Sequence, residues 1–273
     1  LTMTNIAISE NTAAIGGGLY VEEDGECTQS TPPVNLTGCT ISNNTATQDY
    51  GGGIEAPGGQ LTLTDCVFTG NSSYWEGGAA DLWSVNGSAT INGCRFENNI
   101  GGAAGGALWL ESEVSIEKSV FFANKSVARP EGAGFYNGTF GGAVYNTGSL
   151  SIGRSTFVAN EAVQPEGGTI LPPGEGLLNR PAQTAQYPQF GGAVYTETSV
   201  GITNSILWGN APDEAAVGSN GGLYVSNCDL MGEWDGEGWG NINLDPMFVD
   251  SANGDFHLKV GSPCINRGAG EVA

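Results

Sequence analysis

Hydrophobic and polar residues alternate along this chain in short bursts, and the bursts recur. The clearest runs from Leu61 to Asn71, LTLTDCVFTGN, and aligned phrases begin at Leu1, Val34, Ala89, Val114, Leu150, Val200 and Leu223. Positions one and three are aliphatic in nearly every copy. Position six is Cys, Ser or Ile, and position eight is Ile, Leu or Phe. Position eleven is Asn except in the last copy, where Glu233 stands. Period-two alternation marks strand rather than helix, and the pattern predicts two short strands bent near positions four and five. A second phrase follows most copies: GGGLY at Gly16, GGGIE at Gly51, GGAAD at Gly77, GGALW at Gly105, and GGAVY at Gly141 and Gly191. It predicts a third strand after a double-glycine corner. Repeats of this length stack as a solenoid. Three short strands per coil predict an all-β parallel β-helix of about eight coils. At about 4.8 Å per coil this is a rod on the order of 40 Å long. Residues 1–273 read as a single domain, with the last coil and a terminal segment over about 223–273.

The repeat accounts for the 45 glycines, because a tight corner needs a residue at ease with positive φ. The Asn column has the same logic and adds a ladder: Asn11, Asn44, Asn71, Asn99, Asn124, Asn160 and Asn210 can bond amide to amide from coil to coil. Position six accepts small side chains, Cys39, Cys66, Cys94 and Cys228 alternating with Ser119, Ser155 and Ser205. Buried thiols are one reading of that column. Disulfides Cys27–Cys39, Cys66–Cys94 and Cys228–Cys264 are another, permitted by the even count.

Charge excludes several partners. Eight Lys and Arg stand against 29 Asp and Glu, so phosphate-rich nucleic acid and anionic membrane surfaces are disfavoured. No apolar run reaches the length of a membrane span. Sequons at Asn35, Asn86 and Asn137 are possible glycosylation sites, whereas those at Asn71 and Asn124 fall on ladder positions. The chain opens inside a repeat phrase, and a bare end coil offers strand edges. Two open ends predict self-association by head-to-tail stacking into a fibre.

Three places can carry binding. The column after the double glycine reads Tyr20, Glu55, Asp81, Trp109, Tyr145, Tyr195; if exposed, Tyr20, Trp109, Tyr145 and Tyr195 can stack on sugar rings. Insertions from Lys125 to Phe140 and from Glu161 to Phe190 share one corner of adjacent coils and predict a raised recognition surface. Oxygen-rich segments, Glu22 to Glu26 and the trio Asp245, Asp250 and Asp255, can hold calcium or form turns; no other cofactor is indicated.

The GGA-(Val/Leu)-(Tyr/Trp) and Phe-x-x-Asn pairs resemble the repeats of polymorphic outer-membrane proteins and related bacterial right-handed parallel β-helix surface proteins. The segment Asp245-Pro-Met-Phe through Gly254-Asp-Phe-His-Leu and Gly261-Ser-Pro-Cys-Ile-Asn-Arg-Gly268 resembles the ending of choice-of-anchor-type β-helix proteins, with Cys264 and Asn266 at positions that differ. The resemblance implies a right-handed helix located outside the cell or on its surface. An enzyme on this scaffold needs either a Lys or Arg base beside calcium-binding carboxylates, or a carboxylate pair at a defined separation. Lys118 and Arg154 stack at position five, where Asp65 has no second carboxylate above or below it, and Glu55 with Asp81 is the best carboxylate pair. The favoured expectation is therefore a non-enzymatic extracellular structural or adhesive β-solenoid, with itself or cell-surface glycans as partner; the alternative is a polysaccharide-active lyase or hydrolase.

Overall fold

The structure is a computed structural model that describes residues 1–21, 33–56, 60–83, 87–111, 113–127, 138–163, 189–219 and 221–269. It is a right-handed parallel β-helix. One sheet collects the first strand of every phrase, from Thr2–Thr4 through Gln60–Thr64 to Gly222–Ser226. A second collects the strand that follows it, from Ala7–Ser9 through Val67–Thr69 to Asp229–Leu230. Among the described residues each of these two sheets has eight strands, all parallel and in register, as with Leu63 against Leu36 and Ile91. Among the described residues the six double-glycine strands, from Leu19–Tyr20 to Val194–Thr196, form a sheet whose seventh strand is Ala215–Val217, which no double glycine precedes.

The coil holds one strand more than the pattern predicts. A short strand follows each of the first six Asn, among them Thr45–Ala46 and Lys125–Val127, and the six pair as a further sheet. It escapes the hydrophobic pattern because its inward column is Ala46, Ser73, Gly101 and Ser126, too small and too polar to read as strand.

Two left-handed residues make the bends of each phrase. At position five, Asn5, Gly38, Asp65, Gly93, Lys118, Arg154, Asn204 and Asn227 all have φ between 49° and 66°. At position ten, Glu10, Asn43, Gly70, Asn98, Ala123, Ala159 and Gly209 have φ between 53° and 70°. The left-handed turn therefore lies one residue before the ladder Asn rather than on it. The Asn itself is free to point inward, and its role is hydrogen bonding alone.

The core is a set of columns. Phe68, Phe96, Phe121 and Phe157 are fully buried and stack at ring-centroid distances of 4.9, 4.7 and 4.5 Å. Beside them runs the Asn ladder. The Asn99 amide donates to Asn124 Oδ1 at 2.9 Å and to Phe68 O at 3.0 Å, while its own Oδ1 accepts from the backbone and side chain of Asn71, each at 3.0 Å. The rungs repeat from Asn11 to Asn210. Glu214 ends the ladder, accepting the Asn210 side-chain amide where the next Asn would stand.

Position six forms a second ladder. The Cys94 N–H donates to Ser119 Oγ, Ser119 N–H to Ser155 Oγ and Ser155 N–H to Ser205 Oγ, each at 3.1 Å. Each hydroxyl in turn donates to the carbonyl two residues before it, as Ser119 does to Glu117 O at 2.9 Å. Cys66 N–H and Cys94 Sγ make the same contact at 3.4 Å, as do Ser205 N–H and Cys228 Sγ. The column demands a group that both donates and accepts, which explains the Cys/Ser alternation better than size does. It also overturns two disulfides. Cys66, Cys94 and Cys228 are buried free thiols, and Cys264 is a free thiol whose Sγ–H donates to Asp229 Oδ2 at 2.9 Å. Cys39 is free as well, and its expected partner Cys27 lies outside the described residues.

After Leu230 the chain adds one partial turn, in which Glu237 and Ile242 bridge in parallel to Tyr224 and Asp229 and Asn241 Oδ1 accepts the Cys228 N–H, and then doubles back. An antiparallel hairpin, Phe248–Asp250 with Asp255–Leu258, lies on the outer face of the second sheet. Phe256 meets Phe122 edge-on at 5.2 Å, and the Arg95 guanidinium sits 5.8 Å above the same ring and donates to Gly254 O at 3.2 Å. The terminal segment thus reaches from coil eight back to coil four.

Replacing Asn99 by Ala strands the Asn71 N–H and the Phe68 carbonyl inside the core. Denaturant unfolding should show a loss of about 2–4 kcal/mol. Asn98→Gly, one residue earlier at a left-handed position, should stay within about 1 kcal/mol of the parent. Alkylation without reductant should label Cys66, Cys94 and Cys228 only after denaturation; recovery of any two of them as a disulfide would contradict the position-six ladder.

Candidate functional site

The double-glycine corner builds a second buried stack outside the main core. Gly51 begins the corner at φ +63°, and a Cβ on Gly52 would lie 2.3 Å from Gly78 O, so neither position tolerates a side chain. The turn brings the residue just before the glycines against the one four places after the first glycine. Two columns therefore face each other: Tyr50 with Glu55, Glu76 with Asp81, Ala104 with Trp109, Phe140 with Tyr145, and Phe190 with Tyr195. Backbone bonds lock their succession, Gly51 N–H to Glu76 O and Gly77 N–H to Ala104 O at 3.2 Å, then Gly105 N–H to Phe140 O at 3.0 Å.

In coils four to six the stack is aromatic. Trp109, Tyr145 and Tyr195 lie nearly parallel, at 6.2 and 5.6 Å between ring centroids. Phe140 packs 4.8 Å from Tyr195 and 5.9 Å from Phe190. This corrects the expected sugar platform: Tyr145 and Tyr195 are 3% and 6% exposed, covered by Phe140 and Phe190 from the ends of the two insertions. Of the four expected binding aromatics, Tyr20 is exposed and Trp109 half-buried. Tyr195 also donates to Glu197 Oε1 at 3.0 Å, and burial holds its hydroxyl well above the ordinary tyrosine value. Most of both insertions lies outside the described residues.

In coils two and three the same columns carry acids. Glu55, Glu76 and Asp81 are 5%, 6% and 2% exposed. Glu55 Oε2, Glu76 Oε2 and Asp81 Oδ1 are buried without a hydrogen-bond partner. Removal from water, reinforced by the charge of Asp49, pushes Glu55 up to about 7 and Glu76 up to about 8. Asp81 is raised well above the usual carboxylate range, first by burial and then by Glu76, Glu55, Asp49 and Glu111. Glu55 and Asp81 are in register on neighbouring strands, as the sequence implies, but their burial denies a polysaccharide access to them. Sequence reasoning missed Glu76, whose signal is its place five residues before Asp81 and directly ahead of Gly77. The carboxylates form no ready coordination shell: among the described residues no group of three or more acidic, histidine or cysteine side chains is arranged to hold a metal ion.

The remaining candidates resolve into structural roles. Asp245 Oδ1 accepts the Met247 N–H, Asp250 Oδ2 accepts the Asn253 amide, and Asp255 Oδ1 accepts the His257 N–H. Each carboxylate closes its own turn, so the expected calcium trio does not converge. Asn71 and Asn124 are fully buried and their amides are spent in the ladder, which closes those sequons to glycans. Asn35 is half-buried on the first sheet, while Asn86, Asn137 and the acidic run Glu22 to Glu26 lie outside the described residues. Arg154 pairs with Glu117 at 3.0 Å, Arg95 with Glu97 at 2.8 Å and Lys125 with Glu161 at 2.8 Å. Among the described residues, no helix is long and apolar enough to cross a membrane.

In-register parallel sheets, two side-chain ladders and a glycine corner together define a right-handed β-helix, and the chain belongs to that family: the model for the right-handed β-helix region matches residues 1–230. Among individual proteins, the chain is similar to the probable autotransporter YfaL of Escherichia coli strain K12. The two are 32% identical over 123 residues, a match covering 41% of this chain and 10% of the relative, so the chain spans about a tenth of that protein's length. No solved structure matches the chain.

Tyr145→Ala opens the aromatic half of the stack and should destabilise the protein by about 3–5 kcal/mol in denaturant unfolding. Tyr20→Ala, at the exposed end of the same column, should change stability by less than about 1 kcal/mol.

Proposed function

We propose that the chain is a stretch of an extracellular, cell-surface β-solenoid with a non-enzymatic structural or adhesive role. The observation that carries the reading is where the buried polar groups go. The Asn and Cys/Ser ladders spend theirs on the neighbouring coil, a construction that yields a rod bonded coil to coil. The likeness to a probable autotransporter supports a surface location. The net charge of −21 favours solubility and neutral or cationic partners over phosphate. Cell-surface glycans and further copies stacked end to end are the partners this reading favours, with Tyr20, Trp83 and Trp239 exposed and Trp109 half-buried among the described aromatic side chains that could meet a sugar.

The test has two arms. Brief proteolysis of intact source cells, followed by an antibody raised to this chain, should remove the signal; a signal lost only after permeabilisation would overturn the surface location. The purified chain should release no reducing or unsaturated ends from a panel of pectic, uronic and neutral polysaccharides. Release that tracks the protein through purification would establish the enzyme instead.

A further inference from the structure

The acidic half of the corner stack is not demanded by the fold. Coils four to six fill the same two columns with Ala104, Trp109, Phe140, Tyr145, Phe190 and Tyr195. Coils two and three fill them with Tyr50, Glu55, Glu76 and Asp81. An ionised carboxylate buried without a partner costs several kcal/mol, and three of them share this corner, each with one orphaned oxygen. Compensation from neighbours is slight. The Gly16 N–H, which donates to Tyr50 O at 3.2 Å, lowers Glu55 only as the smallest of the influences on it, and the charges that act on the cluster come from Asp49 before the corner of coil two and Glu111 beyond the strand of coil four, both acidic. Tyr20 lies above Glu55 in the column and Trp109 below Asp81, neither of them cationic. Only two things can relieve such a cluster, protons or a cation, and the side chains are not arranged to hold a metal ion.

We propose that Glu55, Glu76 and Asp81 form a proton-operated latch: protonated, they sit closed in the corner stack of coils two and three, and on ionising they drive that corner open while the flanking coils stay folded. The local character follows from the architecture, because each coil is bonded only to its neighbours and a solenoid can open at one corner without unravelling. The aromatic corner of coil five, Phe140 with Tyr145, holds no carboxylate of its own and stays shut; that of coil six is bonded to Asp213 and Glu214, whose carboxyls burial also raises. The sign follows from the raised values. The closed state binds protons that the open state releases near the ordinary carboxylate value of about 4.5, so the stabilisation is complete below that pH. It is lost as the pH climbs toward and through about 7 for Glu55 and about 8 for Glu76. A surface rod built this way is tight in acid and locally loosened in neutral to alkaline surroundings.

Hydrogen exchange of the purified chain, corrected for the intrinsic pH dependence of exchange, tests this from about pH 5 to pH 9. Amides of residues 49–56 and 76–82 should lose protection with rising pH, the opening constant growing up to about tenfold per pH unit for each proton released. Amides of 140–146 should not. The triple variant Glu55→Gln, Glu76→Gln, Asp81→Asn keeps the protonated shapes and should flatten the profile at 49–56 and 76–82. Parallel profiles in parent and variant would overturn the latch. If the variant does not fold, infrared spectroscopy of the parent decides. A protonated-carboxyl stretch persisting at about pH 7 supports the proposal, and its absence there overturns it. Calcium chloride at about pH 8.5 should leave the parent's loosened corner unchanged; protection restored by calcium and removed by chelator would overturn the proton latch in favour of a cation site.

Discussion

The coils depend on giving the backbone N–H groups just past each bend a partner in the next coil. At positions five and ten the chain bends, and at positions six and eleven, just past the bends, backbone N–H groups turn away from the regular sheet bonds. A buried N–H without an acceptor costs about as much as a lost hydrogen bond or more. The fold answers with side chains: an Asn oxygen for the N–H at position eleven and a Ser or Cys for the N–H at position six. Once those two columns exist, coil height, register and direction are fixed together, because a slip by one residue would break both ladders at once. The aliphatic and phenylalanine columns then fill the space the ladders define.

The ladders also explain what was legible in the sequence. Eight phrases with aliphatic residues at fixed positions and an almost invariant Asn were enough to read a parallel β-helix, its coils and its Asn ladder. The short strand after the Asn was not legible, because Ala46, Ser73, Gly101 and Ser126 give no hydrophobic alternation. The exposure of the aromatic column was misread because Phe140 and Phe190, which cover it, belong to insertions whose path a repeat does not predict. Cys66 and Cys94 looked like a disulfide by proximity alone. What excludes the bond is that each sulfur already serves a backbone group, a fact that appears only once the column is seen in three dimensions. The acidic site was half visible: Glu55 and Asp81 stack in the repeat, but Glu76 joins them through the fold of the glycine corner.

The corner stack shows how a repeat protein varies without losing its register. Glycines and backbone bonds specify the turn, and the two facing side chains are left open to choice. The same geometry therefore accepts a tyrosine–phenylalanine pair in one coil and a glutamate–aspartate pair in another. Chemistry is written into the columns that the ladders do not use.

The returning hairpin alters the mechanics of the rod. A plain stack pulled from its end would peel one layer at a time, each layer yielding at its own modest force. Here Phe256 and Gly254 are fastened to Phe122 and Arg95, three and four layers in from the last phrase. Tension on the segment after Leu258 is delivered in shear across the outer face rather than at the final layer, so the last layers bear load together, like laminations held by a through-bolt.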